Sequence, residues 1–130
     1  MKKFLTGVFI LFIFSFFYFS FNKKSSFIEY KLNNKTYKLL TAKNSAEWQK
    51  GLMFYKSKEE LKGADGMIFI FPEKDFRSFW NENTYLDLDV YWIDGDKVVG
   101  KSYLPSIEKS KEIVTIDSSG SVDKVVEIVR

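Results

Sequence analysis

The sequence predicts an α+β fold: a mostly antiparallel, curved sheet or partly closed β-barrel of about seven short strands with one or two short helices, preceded by an N-terminal transmembrane helix. Three observations carry this. An uncharged apolar run opens the chain; short strand patterns separated by turn residues fill the rest; and helical signals are confined to a few short stretches. The 130 residues contain neither His nor Cys. This excludes imidazole and thiolate catalysis, disulfides, zinc fingers and iron–sulfur ligation, and no metal or cofactor is expected.

Phe4 to Phe21 carries no charge and holds more than half of the chain's 14 Phe. As a helix such a run spans about 27 Å, close to the thickness of a bilayer's hydrocarbon core. Lys2 and Lys3 supply a positive leading segment. Small residues suited to signal cleavage do not follow, so residues 1–21 read as an uncleaved signal-anchor, with a cleaved signal peptide as the alternative. Residues 22–26 form a polar linker, and residues 27–130 form a single extracytoplasmic β-rich domain. Without Lys2 and Lys3 the charges nearly balance, at 18 basic against 17 acidic side chains. Such a domain has no electrostatic footprint for nucleic acid, so none is expected as a partner.

Phe27 to Leu32 and Lys35 to Thr41 read as strands around an Asn33-Asn34 turn. Asn44, with Glu47 three residues on, marks a helix start, and Gly51 marks its end. Ser57 with Glu60 starts a second short helical segment that ends by Gly63. Met67 to Phe71 is apolar on both faces, which predicts a central strand covered on both sides and stopped by Pro72. Leu86 to Ile93 alternates, with Leu86, Leu88, Val90 and Trp92 on one face. Asp94-Gly95 turns into Lys97 to Leu104, which Pro105 ends. Ile113 to Asp117 and Val122 to Val129 complete the set around Ser118-Ser119-Gly120. Asp94-Gly95-Asp96 lacks the further oxygen ligands of a calcium loop.

Three segments stand out in order: Gly51-Leu52-Met53, then Gly66-Met67-Ile68-Phe69-Ile70-Phe71, then Phe79 to Asp89. Together they resemble the family known as domain of unknown function 192, with its G-L-M, G-M-L-F-x-F and W-M-K-N-T-x-x-P-L-D motifs. The resemblance implies a fold and an exported location, with no established reaction. The chain departs from the pattern at Tyr55, where Arg is common, at Asn81-Glu82 in place of Met-Lys, and at Asp87 in place of Pro. Cationic groups are thereby lost. Five acids and no base lie between Ser78 and Asp96, so a ligand at that edge is expected to be a cation, an amine or a neutral polar group.

Gly51, Leu52, Met53, Gly66, Met67, Phe69, Phe71 and Leu88 read as structural: a helix cap, a turn and the core. Trp80, Asn83, Thr84 and Asp89 are the candidate ligand-binding residues. Trp80 serves either the core or a pocket floor. Asn83 and Thr84 serve either loop locking or ligand hydrogen bonds. Asp89 accepts structural hydrogen bonds, binds ligand, or acts as a general acid or base. No catalytic set is identifiable. The leading expectation is a membrane-anchored binding or accessory module contacting a small polar ligand or an envelope protein. The alternatives are a carboxylate-dependent hydrolase using Asp89 with Thr84 or Tyr85, and a purely structural envelope protein.

Overall fold

The computed structural model describes residues 27–130. The expected anchor (1–21) and linker (22–26) lie outside the described residues, among which no helix is long and apolar enough to cross a membrane. The elements in order are β1 (Phe27–Leu32), β2 (Lys35–Ala42), α1 (Ser45–Lys50), a 3₁₀ turn (Lys58–Leu61), β3 (Gly66–Asp75) and β4 (Ser78–Trp80). There follow β5 (Leu88–Asp94), β6 (Lys97–Leu104), α2 (Ile107–Ser110), β7 (Thr115–Asp117) and β8 (Val122–Val129).

Six strands form one sheet in the order β1-β2-β3-β8-β5-β6, and β4 pairs with β7 in a separate two-stranded sheet. All pairs are antiparallel except β2 with β3. A parallel pair needs a long crossover. Residues 43–65 supply it, and they carry α1 and the 3₁₀ turn. The sheet is open, with β1 and β6 as its edges.

Alternation along the central strands divides the apolar side chains into two clusters. Leu40, Met67, Phe69, Leu88, Val90, Trp92 and Val125 build the larger one, on the face that α1 and the small sheet cover. Leu39, Ile68, Ile93 and Val126 build the other together with Leu32 of β1, and Val98 of β6 packs against it. Among the described residues no second layer covers that face, and Leu39, Ile93 and Val126 are fully buried. The sheet is curved, as the twist of its strands favours.

Local chemistry explains the turns. Asn33 and Asn34 both take positive φ (49° and 66°), the geometry of a tight two-residue hairpin. Asn44 caps α1: the Glu47 N–H donates to Asn44 Oδ1 at 3.0 Å, and the Asn44 side-chain amide Nδ2 donates to Glu47 Oε1 at 2.7 Å. Replacing Asn44 with Ala is expected to cost about 1 kcal/mol in chemical denaturation. A loss below about 0.3 kcal/mol would show that tertiary contacts alone hold α1.

Three expectations are corrected. Pro72 does not stop β3, which runs on to Asp75; its pairing with β8 is interrupted between Ile70 and Asp75, so no ladder hydrogen bond is asked of Pro72. The described residues hold eight strands where about seven were expected, the addition being Ser78–Trp80, which pairs with β7. The strand expected over Ile113–Asp117 is shorter, starting at Thr115.

Candidate functional site

The three distinctive segments converge on one cavity. It has a volume of about 410 Å³, within the usual range for small-molecule sites. Trp48 and its neighbours on α1, Gly51-Leu52-Met53 after it, Phe69 and Phe71 of β3, the stretch Phe76 to Trp80, Thr84 and Glu127 of β8 line it.

Each wall is set by a local rule. Gly51 ends α1 at φ 48°, where a side chain would be strained and an added Cβ would press to 3.1 Å from the Phe69 ring. Trp48 donates its indole N–H to the carbonyls of Ala42 (3.0 Å) and Ile70 (3.2 Å), pinning α1 across β2 and β3. Its ring lies 5.0 Å from that of Phe71. Phe79 of β4 meets Phe69 edge-on at 4.8 Å and Trp92 at 5.7 Å. Phe76 and Trp80 stand at the mouth, 68% and 50% exposed.

Two side chains lining this cavity each carry a buried polar atom with no hydrogen-bond partner among the described residues. Glu127 is 5% exposed, and its Oε2 accepts no hydrogen bond. Its cross-strand neighbours are Met67 and Val90, so nothing beside it in the ladder offers charge. Burial pushes its carboxyl up from 4.5 to about 8. Arg77 lies with its guanidinium 3.9 Å over the Phe71 ring and donates Nη2 to the Glu73 carbonyl at 2.7 Å. Its Nε is buried and unpartnered.

Of the sequence-derived candidates, the cavity gathers Trp80 and Thr84. Trp80 is neither core nor floor but rim, half exposed. Thr84 is 5% exposed and donates its hydroxyl to the Glu82 carbonyl at 3.1 Å. Asn83 takes φ 53° and accepts the Phe54 N–H at its carbonyl, tying the loop to the segment after α1.

Asp89 lies elsewhere, because β5 turns Leu88, Val90 and Trp92 toward the cavity side and Asp89 the other way. There it accepts Arg130 Nε at 3.0 Å, with Lys101 at 4.0 Å. Asp87 accepts from the Ser106 N–H and the Tyr103 hydroxyl, both at 2.9 Å. The Ser106 N–H, more than Tyr103 or Lys109, holds that carboxyl below its ordinary range. Neither carboxylate lines the cavity. The acidic edge therefore does not set the ligand chemistry there: the charged side chains at the cavity are Lys50, Arg77 and Glu127. Among the described residues, no group of three or more Asp or Glu is placed to hold a metal ion.

Loop locking belongs chiefly to Asn81, which is fully buried. Its amide donates to the Pro105 carbonyl and to Ser110 Oγ, both at 2.9 Å, and its Oδ1 accepts the Val114 N–H at 2.8 Å. Asn81→Ala is expected to destabilise by about 2 kcal/mol, since it strands these partners. Urea unfolding measures this, and a neutral result would mean that the loop is held elsewhere.

Three residues were missed. Glu127 had a legible signal: a lone acid among Val125, Val126, Ile128 and Val129 in a strand that is apolar on both faces. Arg77 sits one residue before the stretch from Ser78 to Asp96, which holds no base. Lys50 looked like an ordinary helix-terminal Lys.

The family model described as "Uncharacterized ACR", domain of unknown function 192, matches residues 28–130. The chain belongs to that family. Its fold is similar to the crystal structure of a protein of unknown function from Novosphingobium aromaticivorans DSM 12444, with a TM-score of 0.63 and 24% identity over 81% of this chain and 73% of that one. It is also similar to a Sinorhizobium meliloti 1021 protein described as a "putative transcription regulator", with a TM-score of 0.60 and 24% identity over 82% and 84% of the two chains. The chain matches no curated protein. At this level of identity the likeness concerns the fold.

Proposed function

We propose that residues 27–130 form a small-molecule binding module, held at the outer face of a membrane by residues 1–21. One observation carries the binding reading: motifs far apart in sequence build an aromatic-walled cavity lined also by Glu127, whose buried Oε2 has no hydrogen-bond partner among the described residues. Folded domains pair their buried polar groups, so such a group points to a partner from outside. The anchor rests on the uncharged run from Phe4 to Phe21 and the two Lys before it.

Indole serves as the probe of the cavity. The full chain in phospholipid nanodiscs is titrated with indole by NMR, with empty nanodiscs subtracting lipid partitioning. Saturable shifts are expected at Trp48, Leu52, Phe79 and Thr84. Gln49→Trp, which puts an indole ring from α1 at the cavity, should weaken binding at least tenfold. Shifts that fail to saturate, or that gather around Asp87 and Asp89, would refute the binding reading. Fractionation tests the anchor: full-length chain with an intact N-terminus should stay with membranes, and a terminus near Ser25 would show cleavage.

A further inference from the structure

Glu127 and Arg77, each with one buried atom that has no hydrogen-bond partner among the described residues, differ in character, and that difference specifies a ligand. Glu127 is an acid placed where β3 and β5 offer only Met67 and Val90 beside it. A buried carboxyl in such surroundings gains most from a cation, because buried charges persist only when paired. The aromatic rings that line the same cavity favour the same choice, since their faces attract ammonium groups. Arg77 is the converse: a guanidinium without a carboxylate partner among the described residues, in a side chain that lines the cavity, with one N–H occupied by the Glu73 carbonyl and a buried Nε that has no hydrogen-bond partner there. A charge-assisted bond to a carboxylate is what that N–H lacks. Lys50 lines the same cavity and adds positive potential for an anionic group.

Resting on the binding reading above, we infer that the cavity takes an amphoteric aromatic molecule of the amino-acid type. Its ammonium group pairs with Glu127, its carboxylate with Arg77, and its ring packs among Phe71, Phe79 and Trp80. The volume of about 410 Å³ suits a ligand of that size. The titratable and charged groups lining the cavity besides Glu127 are Lys50 of α1 and Arg77 before β4. Glu127 is the one carboxyl among the lining residues, and proton exchange on binding is assigned to it. Its carboxyl, raised to about 8, is mostly protonated at pH 7. Ammonium binding therefore displaces a proton.

Calorimetry of the full chain in nanodiscs with four probes tests the inference: indole, tryptamine, indole-3-propionate and tryptophan. Tryptophan should bind at least tenfold tighter than indole. Amine binding at pH 7 should release close to one proton, read from two buffers of different ionisation heat. Glu127→Gln keeps shape and hydrogen bonding but not charge, and should lower the tryptamine-to-indole affinity ratio at least tenfold. Arg77→Gln should do the same to the tryptophan-to-tryptamine ratio. Tryptophan binding no tighter than indole would overturn the inference and leave the cavity reading standing, as would indole-3-propionate binding tightest. Indole failing to bind at all would remove both. The wild-type ladder and its proton release decide the question even if a variant fails to fold.

Discussion

Gly66→Ala should destabilise the domain by at least roughly 3 kcal/mol, the largest loss expected from any single added methyl group. A Cβ at Gly66 would stand 1.8 Å from the Glu127 carbonyl oxygen and 2.8 Å from its carbon, both backbone atoms of the paired strand. A flexible side chain would swing aside, but a ladder strand has nowhere to go. The substitution therefore pushes β3 from β8 at the middle of the six-stranded sheet. Gly120→Ala is the control, because a Cβ there meets nothing within 4 Å. Denaturant unfolding of both variants should separate them clearly. A Gly66→Ala protein as stable as the control would mean that the sheet yields locally, and the tight β3–β8 packing that places Glu127 would be in doubt.

Stability should fall as pH rises from about 4.5 to 8, and Glu127 should be the cause. Its carboxyl titrates near 4.5 when unfolded and near 8 when buried. Between those values the folded chain holds a proton that the unfolded chain has lost, so raising the pH favours unfolding. The stabilisation is complete below 4.5 and gone above 8. The full displacement corresponds to roughly 5 kcal/mol, an upper bound because the cavity opens toward solvent past Phe76 and Trp80. Little else interferes in this window. The chain has no His. Asp87 is shifted downward, so its contribution is present above the ordinary carboxylate range and is lost only in acid. The upward shifts of Lys74, Lys109 and Tyr30 act on the alkaline side. Glu127→Leu should flatten the profile and leave the domain more stable than the wild type at pH 8, since an apolar group loses nothing by burial there. A wild-type profile already flat between pH 5 and 8 would contradict the burial of an unpaired carboxyl.

Much of the fold was legible because it follows from short-range chemistry. Asn33-Asn34, the Asn44–Glu47 cap, Gly51 and the double-sided run from Met67 to Phe71 each declare their structure locally. The parallel pairing of β2 with β3 was not legible, because nothing in either strand distinguishes a parallel neighbour from an antiparallel one. The extension of β3 through Pro72 depends on an interruption in its pairing with β8, a feature of two strands together.

The site was half legible for the same reason. Trp80 and Thr84 belong to a motif that also lines the cavity. Asp89 was drawn in by its place in the sequence and excluded by the alternation of β5. Glu127 lies 38 residues beyond Asp89, and only the β5–β8 register brings Val90 opposite it. Asn81 shows the converse error: a position that looked like a lost family Met proved to be the buried lock of the loop.

The most direct test observes the Glu127 carboxyl itself. Its side-chain carbon is followed by NMR through a pH titration of the full chain, with and without saturating tryptophan. A midpoint near 8 in the free protein is predicted, falling below about 6 once an ammonium group pairs with the carboxylate. A free-protein midpoint in the ordinary glutamate range, or one that tryptophan leaves unmoved, would contradict the assignment of this cavity.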